Sequence, residues 1–486
     1  MTVPSDNELA ASARRELLED ILPFWRRHAV DQRRGGFIGQ MSNDLRVQDD
    51  APKGLILNAR ILWTFSAAWA YTQNDQDRAL AQRAYEYLTH YFLDKEQGGY
   101  FWELDPNGAV LDDKKKVYGE AFCLYALAEY HRVFHEPQAL KQAVDVFELI
   151  EAHARDNRHG GYLEAMSRDW KPCADMRLSD KDMNEKKSMN NHLHVLEGYT
   201  NLLRVWPDTV AVWRGRPGLA SRGHPALVSE RQEQGQACPE RSRRDALATS
   251  LRDLVAIFQR HILNAEQAHL QHFFDDAWTP KSDSYTFGHD IEGSWLLCEA
   301  AEVLAGVPTW RGRLGLASRG RLALVSEKEG QGQDALATKG QGQACPERSR
   351  RDALATSLLA EVQSVAVKMA GAVLAEGLDT DGGLFYEGRE GRIINPNKEW
   401  WPQAEAVVGF YNAWQLTGDN SFREAAVRCW QFIQDRVVDH KYGEWFWCIR
   451  PDGTPDPAQP KVSPWKCPYH NGRCCLEIIQ RVTRTL

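Results

Sequence analysis

A turn built from two glycines and an aromatic residue, or from a close variant of this pattern, recurs six times along this chain of 486 residues. Once two long insertions are set aside, successive turns are about 60 to 70 residues apart, a spacing typical of repeat architectures. The six turns begin at Gly35, Gly98, Gly160, His269, Gly382 and Tyr442. The regular spacing favours one repeat-built domain over residues 1–486.

Each interval between turns contains two stretches with apolar residues at helical spacing, for example residues 59–73 and 77–93. We therefore predict an all-α fold, an (α/α)6 barrel of about six helix pairs whose inner helices surround a cavity. An open solenoid is the alternative. Closure is favoured because the C-terminal segment 470–482 can complete a unit with residues 16–30.

Two segments interrupt the repeat. Residues 213–251 reappear, nearly unchanged at both ends, within residues 310–358. Near-identity of two copies, in a chain whose other repeats have diverged, indicates a recent duplicated insertion. Both segments are of low complexity and rich in arginine, and we interpret them as solvated surface loops rather than as a nucleic-acid-binding element.

Composition limits the partners of the chain. A formal net charge of −8 argues against nucleic acid or an anionic membrane as partner. The 10 cysteines show no metal-finger or CxxC spacing, and no stretch approaches the length of an apolar membrane span. We expect a cytoplasmic protein, a monomer or weak homodimer, that binds a small neutral or cationic substrate and needs neither metal nor cofactor.

Three histidines, His194, His289 and His470, lie in separate aromatic-rich segments. Imidazole is the side chain that titrates nearest to neutrality, so several histidines converging on one pocket would suit proton transfer to and from carbon and oxygen. Pro468 and Gly472 flank His470, and this pattern predicts that it lies on a loop at the mouth of the barrel.

The spacing around two of these histidines is the same. His194 precedes Glu197 by three residues, and His289 precedes Glu292 by three, each on the leading helix of its unit. Residues three apart share a helix face, so both pairs should point into the cavity, with Glu292 orienting His289. A buried pair retained only for packing is the alternative, and the repetition disfavours it. His192 faces elsewhere and is interpreted as structural.

Aromatic side chains supply the other half of the predicted site. Trp400, Trp401, Trp465 and Tyr118 precede or begin inner helices, at the same end as the histidines. Their flat apolar faces suit the C–H faces of a sugar ring. Arg60 lies on the first inner helix among apolar neighbours, and we expect its guanidinium to reach the cavity and donate to a substrate oxygen.

Five segments together are recognisable: NARILWTFSAAW, MNNHLHVLEGYTNL, FGHDIEGSWLL, KEWWPQAEAVVGF and WKCPYHNGRCCLE. They resemble the N-acylglucosamine 2-epimerase superfamily, most closely its cellobiose 2-epimerase branch, over the whole chain outside the insertions. The resemblance implies a single (α/α)6 barrel and cofactor-independent inversion at C2 of an aldose. The site it implies comprises Arg60, Tyr118, Asn190, His194, His289, Glu292, Trp400, Trp401, Trp465 and His470.

Inversion at C2 requires ring opening, removal of the proton beside the C1 carbonyl, and reprotonation of an enediolate from the opposite face. We assign the two proton transfers to His289 and His470, with His194 and Arg60 donating to the oxygens where charge develops. The expected substrate is a β-1,4-linked disaccharide such as cellobiose. Free mannose or glucose and N-acylated hexosamines share the same chemistry and stay open.

Three other functions fit parts of the pattern. Paired His-x-x-Glu motifs on facing helices could bind a transition metal. A glycoside hydrolase could use the same barrel, but it would need a carboxylate pair flanking the scissile bond. A sugar-binding protein without catalysis would use the tryptophans and would have little need of three cavity histidines.

Overall fold

The structure is a computed structural model that describes residues 4–206, 239–307 and 346–485. Within these ranges the α-helices are α1 (Asp6–Arg15), α2 (Leu22–His28), α3 (Leu55–Thr72), α4 (Asp75–Tyr87), α5 (Val117–Phe134), α6 (Pro137–Leu149), α7 (Met189–Val205), α8 (Pro239–Ile257), α9 (Phe287–Leu304), α10 (Pro346–Ala372), α11 (Trp400–Thr417), α12 (Asn420–Phe432) and α13 (Tyr469–Thr485). π-Helical turns follow α1 and five of the later helices, at Glu16–Ile21, Leu88–Phe92, Ile150–Ala154, Phe258–Ile262, Val373–Gly377 and Ile433–Val437.

Six inner helices form a closed ring. They are α3, α5, α7, α9, α11 and α13; each contacts the next, and α13 also contacts α3. The inner helices are buried on nearly all sides, as α3 shows with every residue from Leu55 to Ala68 buried, because neighbours cover them on both flanks and outside. The predicted (α/α)6 barrel is therefore confirmed, and the open solenoid is excluded.

The outer layer consists of amphipathic helices, α4, α6, α8, α10 and α12, each paired with an inner helix. The N-terminal segment supplies the sixth outer position, as expected: α1 and the π turn that follows it pack beside α13. Two tryptophans fix this closure: the Trp25 Nε1–H donates to Glu444 Oε1 at 3.3 Å, and the Trp445 Nε1–H donates to Glu16 Oε1 at 2.7 Å.

Short strands stand before five of the six inner helices. The strands are β1 (Lys53–Gly54), β2 (Glu103–Leu104), β3 (Val110–Asp112), β4 (Lys115–Lys116), β5 (Ala165–Met166), β6 (Lys187–Ser188), β7 (Leu263–Asn264), β8 (His269–Leu270), β9 (Phe273–Phe274), β10 (Tyr285–Thr286), β11 (Glu387–Arg389), β12 (Arg392–Asn395), β13 (Lys398–Glu399) and β14 (Cys448–Ile449). Pairs such as β4 with β5 and β13 with β14 are antiparallel and join each unit to the next. The N-termini of the inner helices consequently lie at one end of the barrel.

The glycine turns that recur in the sequence are held by buried ion pairs. In the third unit Gly160 and Gly161 have φ of 76° and 77°, a conformation that side chains disfavour. Lys187, fully buried, reaches this turn and donates to Asp156 Oδ2 and to the Gly160 carbonyl, each at 2.7 Å. Equivalent lysine–aspartate pairs are Lys53–Asp31, Lys115–Asp94, Lys398–Asp379 and Lys461–Asp439.

The structure corrects the prediction that both insertions are loops throughout. Residues 239–251 belong to α8, and residues 346–358 belong to α10. Leu247 and Leu251, one helical turn apart, are fully buried in the core. The C-terminal part of the repeated sequence is therefore barrel helix. Residues 213–238 and 310–345 lie outside the described residues.

One segment of the outer layer, Ala355–Gly377, is long and apolar enough to cross a membrane by length and composition, with a mean hydropathy of 1.5. It comprises most of α10 and the following π turn. Its residues Val362, Ala366 and Met369 are buried, and α10 contacts α9 and α11. The apolar residues on this buried face therefore pack α10 into the wall of the barrel.

Replacing Lys187 with methionine tests the ion pair of the third turn. Breaking a buried pair from one side leaves an uncompensated charge, so we expect the free energy of unfolding to fall by about 3–5 kcal/mol near neutral pH. Urea unfolding measures this loss. Lys141→Met is the matched control, because the pair of Lys141 with Asp145 is about half exposed and should contribute less than about 1 kcal/mol.

The same pair predicts a pH dependence. Burial opposes ionisation of Asp156, but Lys187 and two backbone amides lower its pKa to about 2. A lowered carboxyl pKa contributes stability that is present above the unfolded value of about 3.9 and is lost as the pH falls towards the folded value. The difference between the wild type and Lys187→Met should therefore shrink below about pH 4. A constant difference would contradict the assignment.

Candidate active site

A cavity of about 500 Å³ opens at the end of the barrel where the inner helices begin. All ten residues predicted from the sequence line it, namely Arg60, Tyr118, Asn190, His194, His289, Glu292, Trp400, Trp401, Trp465 and His470. The loop residues 178–182, Tyr386, Glu399 and Trp447 complete the wall. The structure thus brings the whole predicted set together at one place.

The side chains around the centre of the barrel share one helical register. The sixth residue of an inner helix faces inward in each of the first five units, and the fifth residue does so in α13. These residues are Arg60, Phe122, His194, Glu292, Glu405 and Arg473. Because the repeat fixes the register, polar residues at this position necessarily meet near the barrel axis.

Arg473 lies at the centre of this group and binds three carboxylates. Its Nη2 donates to Glu292 Oε1 at 2.5 Å and to Glu405 Oε1 at 2.7 Å, and its Nη1 donates to Glu197 Oε1. All four side chains are almost fully buried. The guanidinium also lies 4.8 Å from the centre of the Trp295 ring. The positive charge of one arginine is therefore shared among carboxyl groups from three different helices.

The three carboxyls differ in their pKa. Burial raises the pKa of Glu292 to about 7, helped by the charge of Glu405 and opposed by Arg473. Burial also raises the pKa of Glu405. Burial opposes ionisation of Glu197 as well, but Arg473 and a hydrogen bond from His194 lower the pKa of that carboxyl below its usual range. The cluster therefore holds Glu197 firmly ionised.

His470 is oriented by Glu405. Its Nδ1 lies 2.7 Å from Glu405 Oε1 and 3.9 Å from Glu292 Oε1. The prediction of a loop is wrong here, because His470 is the second residue of α13 and Gly472 continues the same helix. Burial, with Arg60 and Arg473 nearby, lowers the pKa of His470 well below the ordinary imidazole value.

His289 has a different partner from the one expected. Its Nδ1 lies 2.5 Å from the hydroxyl of Thr286, whereas Glu292 is engaged with Arg473. The prediction that Glu292 orients His289 is wrong, because the neighbouring charge draws the carboxylate towards the barrel axis. Burial lowers the pKa of His289 well below its ordinary value, so the imidazole is neutral at neutral pH.

His194 has the predicted partner. Its Nδ1 lies 3.0 Å from Glu197 Oε2, and its ring packs edge-on against Tyr118 with centroids 4.9 Å apart. His192 is structural, as predicted: its Nε2 accepts from the Tyr162 amide at 2.9 Å and holds the glycine turn of its own unit. Two histidines separated by one residue thus serve the cavity and the scaffold.

Arg60 faces the cavity with its guanidinium held on three sides. Its Nη2 donates to the Tyr118 hydroxyl at 2.9 Å, and its guanidinium carbon lies 4.3 Å from the Phe122 ring centre and 5.1 Å from that of Tyr469. Among the described residues the Arg60 Nε finds no hydrogen-bond partner, although it is buried. The charge is therefore fixed in place with donor capacity to spare for a ligand.

Aromatic rings form the walls between the polar groups. The Trp401 ring centre lies 4.7 Å from His289 and 5.7 Å from His470. Trp401 Nε1 donates to Glu399 Oε2 at 3.1 Å, and burial raises the pKa of Glu399 to about 7. The Trp400 ring contacts Trp447 with centroids 4.6 Å apart. The two histidines thus contact the same indole ring.

A set of side chains could hold a metal by geometry alone. Glu292, Glu405 and His470 each offer a ligand atom, and these atoms lie within 4.8 Å of one another. The guanidinium of Arg473 already donates to both carboxylates. The position from which a cation would bridge the two carboxylates is consequently taken by the charge of an arginine.

Sequence reasoning missed Glu405, Arg473, Thr286 and Glu399. A signal for one of them was present, because Glu405 is the sixth residue of its helix, the position that His194 and Glu292 have on theirs. Arg473 is the fifth residue of α13, whose start the sequence pattern did not indicate. Thr286 and Glu399 precede their helices at positions where the sequence pattern gives no distinction between a cap and a site residue.

Comparison with known proteins agrees with this geometry. A family model described as N-acylglucosamine 2-epimerase (GlcNAc 2-epimerase) matches residues 36–189 and 354–474. A cellobiose 2-epimerase of Bacteroides fragilis is 38% identical over 98% of this chain and 99% of its own, and one of Dictyoglomus turgidum is 31% identical over 95% and 96%. The structure of a cellobiose 2-epimerase from Bacillus thermoamylovorans superposes with a TM-score of 0.76, at 31% identity, covering 98% of this chain and 100% of that one.

The (α/α)6 barrel and its cavity are those of a carbohydrate-converting enzyme, as the full-length relatives are. The chain belongs to the N-acylglucosamine 2-epimerase family. It is accordingly a carbohydrate epimerase, an enzyme of the isomerase class.

Replacing Glu405 with glutamine tests its role behind His470. The amide keeps the shape but removes the charge that favours a proton on the imidazole, so we expect kcat for epimerisation to fall about 10- to 100-fold with little change in KM. Glu120→Gln is the matched control, because Glu120 is equally buried on an inner helix but accepts from the Tyr100 amide. An equal fall in kcat in both variants would show that the loss of any buried carboxylate impairs the enzyme, and it would contradict a specific role of Glu405 behind His470.

Proposed function

We propose that the protein inverts C2 at the reducing-end aldose of a β-1,4-linked disaccharide such as cellobiose, by ring opening and a histidine-mediated enediolate mechanism. The observation that supports this most is that His289 and His470, which stand on different inner helices, both line the cavity and both contact the ring of Trp401. Inversion requires one base on each face of a planar intermediate. The names of the full-length relatives support the choice of substrate.

Proton abstraction would use the two buried imidazoles. Because burial lowers the pKa of both His289 and His470, each is neutral at neutral pH and able to accept a proton. The imidazolium formed in this way is a stronger acid than an ordinary imidazolium, and it therefore gives up its proton readily. One histidine removes the C2 proton of the gluco epimer, and the other reprotonates C2 from the opposite face.

The enediolate needs positive charge beside its two oxygens. Arg60 and His194 face the cavity and would donate to the C1 and C2 oxygens. The inner helices add to this effect because their N-termini surround the cavity, and helix N-termini carry partial positive charge. Donors already fixed by Tyr118 and Glu197 need little rearrangement as the negative charge develops.

The tryptophans would hold the disaccharide. Trp400, Trp401, Trp447 and Trp465 line the cavity between the histidines and its mouth. Their faces pack against the C–H faces of pyranose rings, while Asn190 offers a buried Oδ1 that has no hydrogen-bond partner among the described residues. This combination of apolar faces and a few polar groups is typical of small-molecule sites.

We further infer that the enzyme works without metal or cofactor, as a monomer or weak homodimer in the cytoplasm. A histidine pair together with Arg60 supplies the acid, the base and the stabilising charge, so the reaction requires no additional group. The eight cysteines in the described residues are free thiols, which suits a reducing compartment.

Replacing either flanking histidine tests the proton transfers. His289→Asn and His470→Asn should each reduce kcat for cellobiose epimerisation about 100- to 10,000-fold, because general acid–base catalysis contributes 10²–10⁴-fold per group. Product analysis by chromatography measures the rate, and circular dichroism checks the fold. His90→Asn, on the outer surface, is the control and should behave as the wild type. Full activity in either site variant would refute its assigned role.

The substrate can be tested with a panel of four sugars. Incubation with cellobiose, lactose, mannose and N-acetylglucosamine, followed by separation of the epimers, should give the highest kcat/KM for the two disaccharides, because four tryptophans line the cavity and can pack against two sugar rings. Faster conversion of mannose or N-acetylglucosamine would move the assignment to another branch of the family. Release of monosaccharide from cellobiose would indicate a hydrolase.

A further inference from the structure

We propose that Thr286 and His272 are positioning residues that hold His289 in one tautomer, with Nδ1 protonated and a bare Nε2 presented to the sugar. This inference rests on the proposed proton transfer by His289. Neither residue lines the cavity, so both act through His289 rather than on the substrate.

The starting point is the protonation of His272. The Thr286 amide donates to His272 Nε2 at 3.1 Å, so this nitrogen carries a lone pair. Burial lowers the pKa of His272 to about 4, and the ring is therefore neutral under ordinary conditions. A neutral imidazole with an unprotonated Nε2 can only accept at that atom.

The Thr286 hydroxyl lies between the two histidines, 3.3 Å from His272 Nε2 and 2.5 Å from His289 Nδ1. It has one proton to donate. If that proton went to His289, the hydroxyl oxygen and His272 Nε2 would face each other as two acceptors. Donation to His272 avoids this and leaves the oxygen to accept from His289 Nδ1–H. The lone pair of His289 is then on Nε2.

The position of Thr286 supports a role beyond capping. Thr286 is the N-cap of α9, a position where a threonine hydroxyl ordinarily accepts from a helix amide. Its side chain makes no such bond. In α7 the corresponding Ser188 does cap, accepting from the Asn191 amide at 3.1 Å. The hydroxyl of Thr286 is therefore directed to the histidine at the expense of the cap.

The partner of His289 also distinguishes it from the other two cavity histidines. His194 and His470 have carboxylates as hydrogen-bond partners, Glu197 and Glu405. A hydroxyl fixes orientation without adding charge. His289 and His470 therefore have partners of different kinds, a hydroxyl and a carboxylate.

Replacing Thr286 with valine removes the hydroxyl and keeps the branched shape. We expect kcat for cellobiose epimerisation to fall about 10- to 100-fold with KM nearly unchanged. The pKa of His289 should fall further without its acceptor, so the acid limb of kcat/KM should move to lower pH. Thr286→Ser restores the hydroxyl and should recover the wild-type profile. His272→Leu, which removes the acceptor behind the hydroxyl, should resemble the valine variant.

Thr200→Val is the matched control for loss of a buried threonine hydroxyl. Thr200 lies on inner helix α7, and its hydroxyl donates to the Leu196 carbonyl at 2.7 Å, away from the cavity. This variant should lose stability without any shift of the acid limb. A kinetic profile of Thr286→Val that matches Thr200→Val, or one that serine fails to restore, would overturn the proposal.

Nitrogen NMR of the histidine side chains provides a test independent of substrate. In enzyme labelled with 15N-histidine, the signals of His289 are identified by their loss in His289→Asn. The wild type should show protonated Nδ1 and bare Nε2, and Thr286→Val should mix the two tautomers. An unchanged tautomer in Thr286→Val would overturn the inference. Absence of epimerase activity with the expected tautomer present would instead refute the proposed function alone.

Discussion

The barrel depends on one buried interaction, the contact of the Arg473 guanidinium with carboxylates from three other inner helices. Desolvating several charges is costly, and the arrangement is stable only because each carboxylate accepts a hydrogen bond from the guanidinium. Arg473 stands near the start of the helix that closes the ring, so its ion pairs join the last unit to the third, fourth and fifth. Closure of the fold and order in the cavity therefore depend on the same side chain.

The same cluster determines the acid–base character of the cavity. Glu405 is shared between Arg473 and His470, and Glu197 between Arg473 and His194, so the central charge fixes two of the three imidazoles through their carboxylates. His289 lies outside this network and is fixed by a hydroxyl. The barrel thus provides two neutral imidazoles with different partners, surrounded by helix N-termini that favour an anionic intermediate. This is the electrostatic requirement of an enediolate mechanism.

The repeat in the sequence was sufficient to predict the architecture and the residues around the cavity, because register along a helix determines which side chains face inward. The hydrogen-bond partners of these inward-facing side chains could not be predicted from register alone. His289 and Glu292 have the spacing of His194 and Glu197, yet only the second pair forms a hydrogen bond, because Arg473 competes for Glu292 from a helix far along the chain. Local spacing likewise gave no sign that α13 begins before His470, or that part of each insertion is barrel helix.

The central claim is that His289 and His470 act on opposite faces of C2. The direct test is exchange of the C2 proton with deuterated water, measured by NMR for each epimer of the disaccharide separately. If the claim is right, each single asparagine variant still exchanges the C2 proton of one epimer but not of the other, and the two variants retain opposite epimers. Loss of exchange in both epimers on removing one histidine, with no effect of removing the other, would show a single-base mechanism and contradict the account.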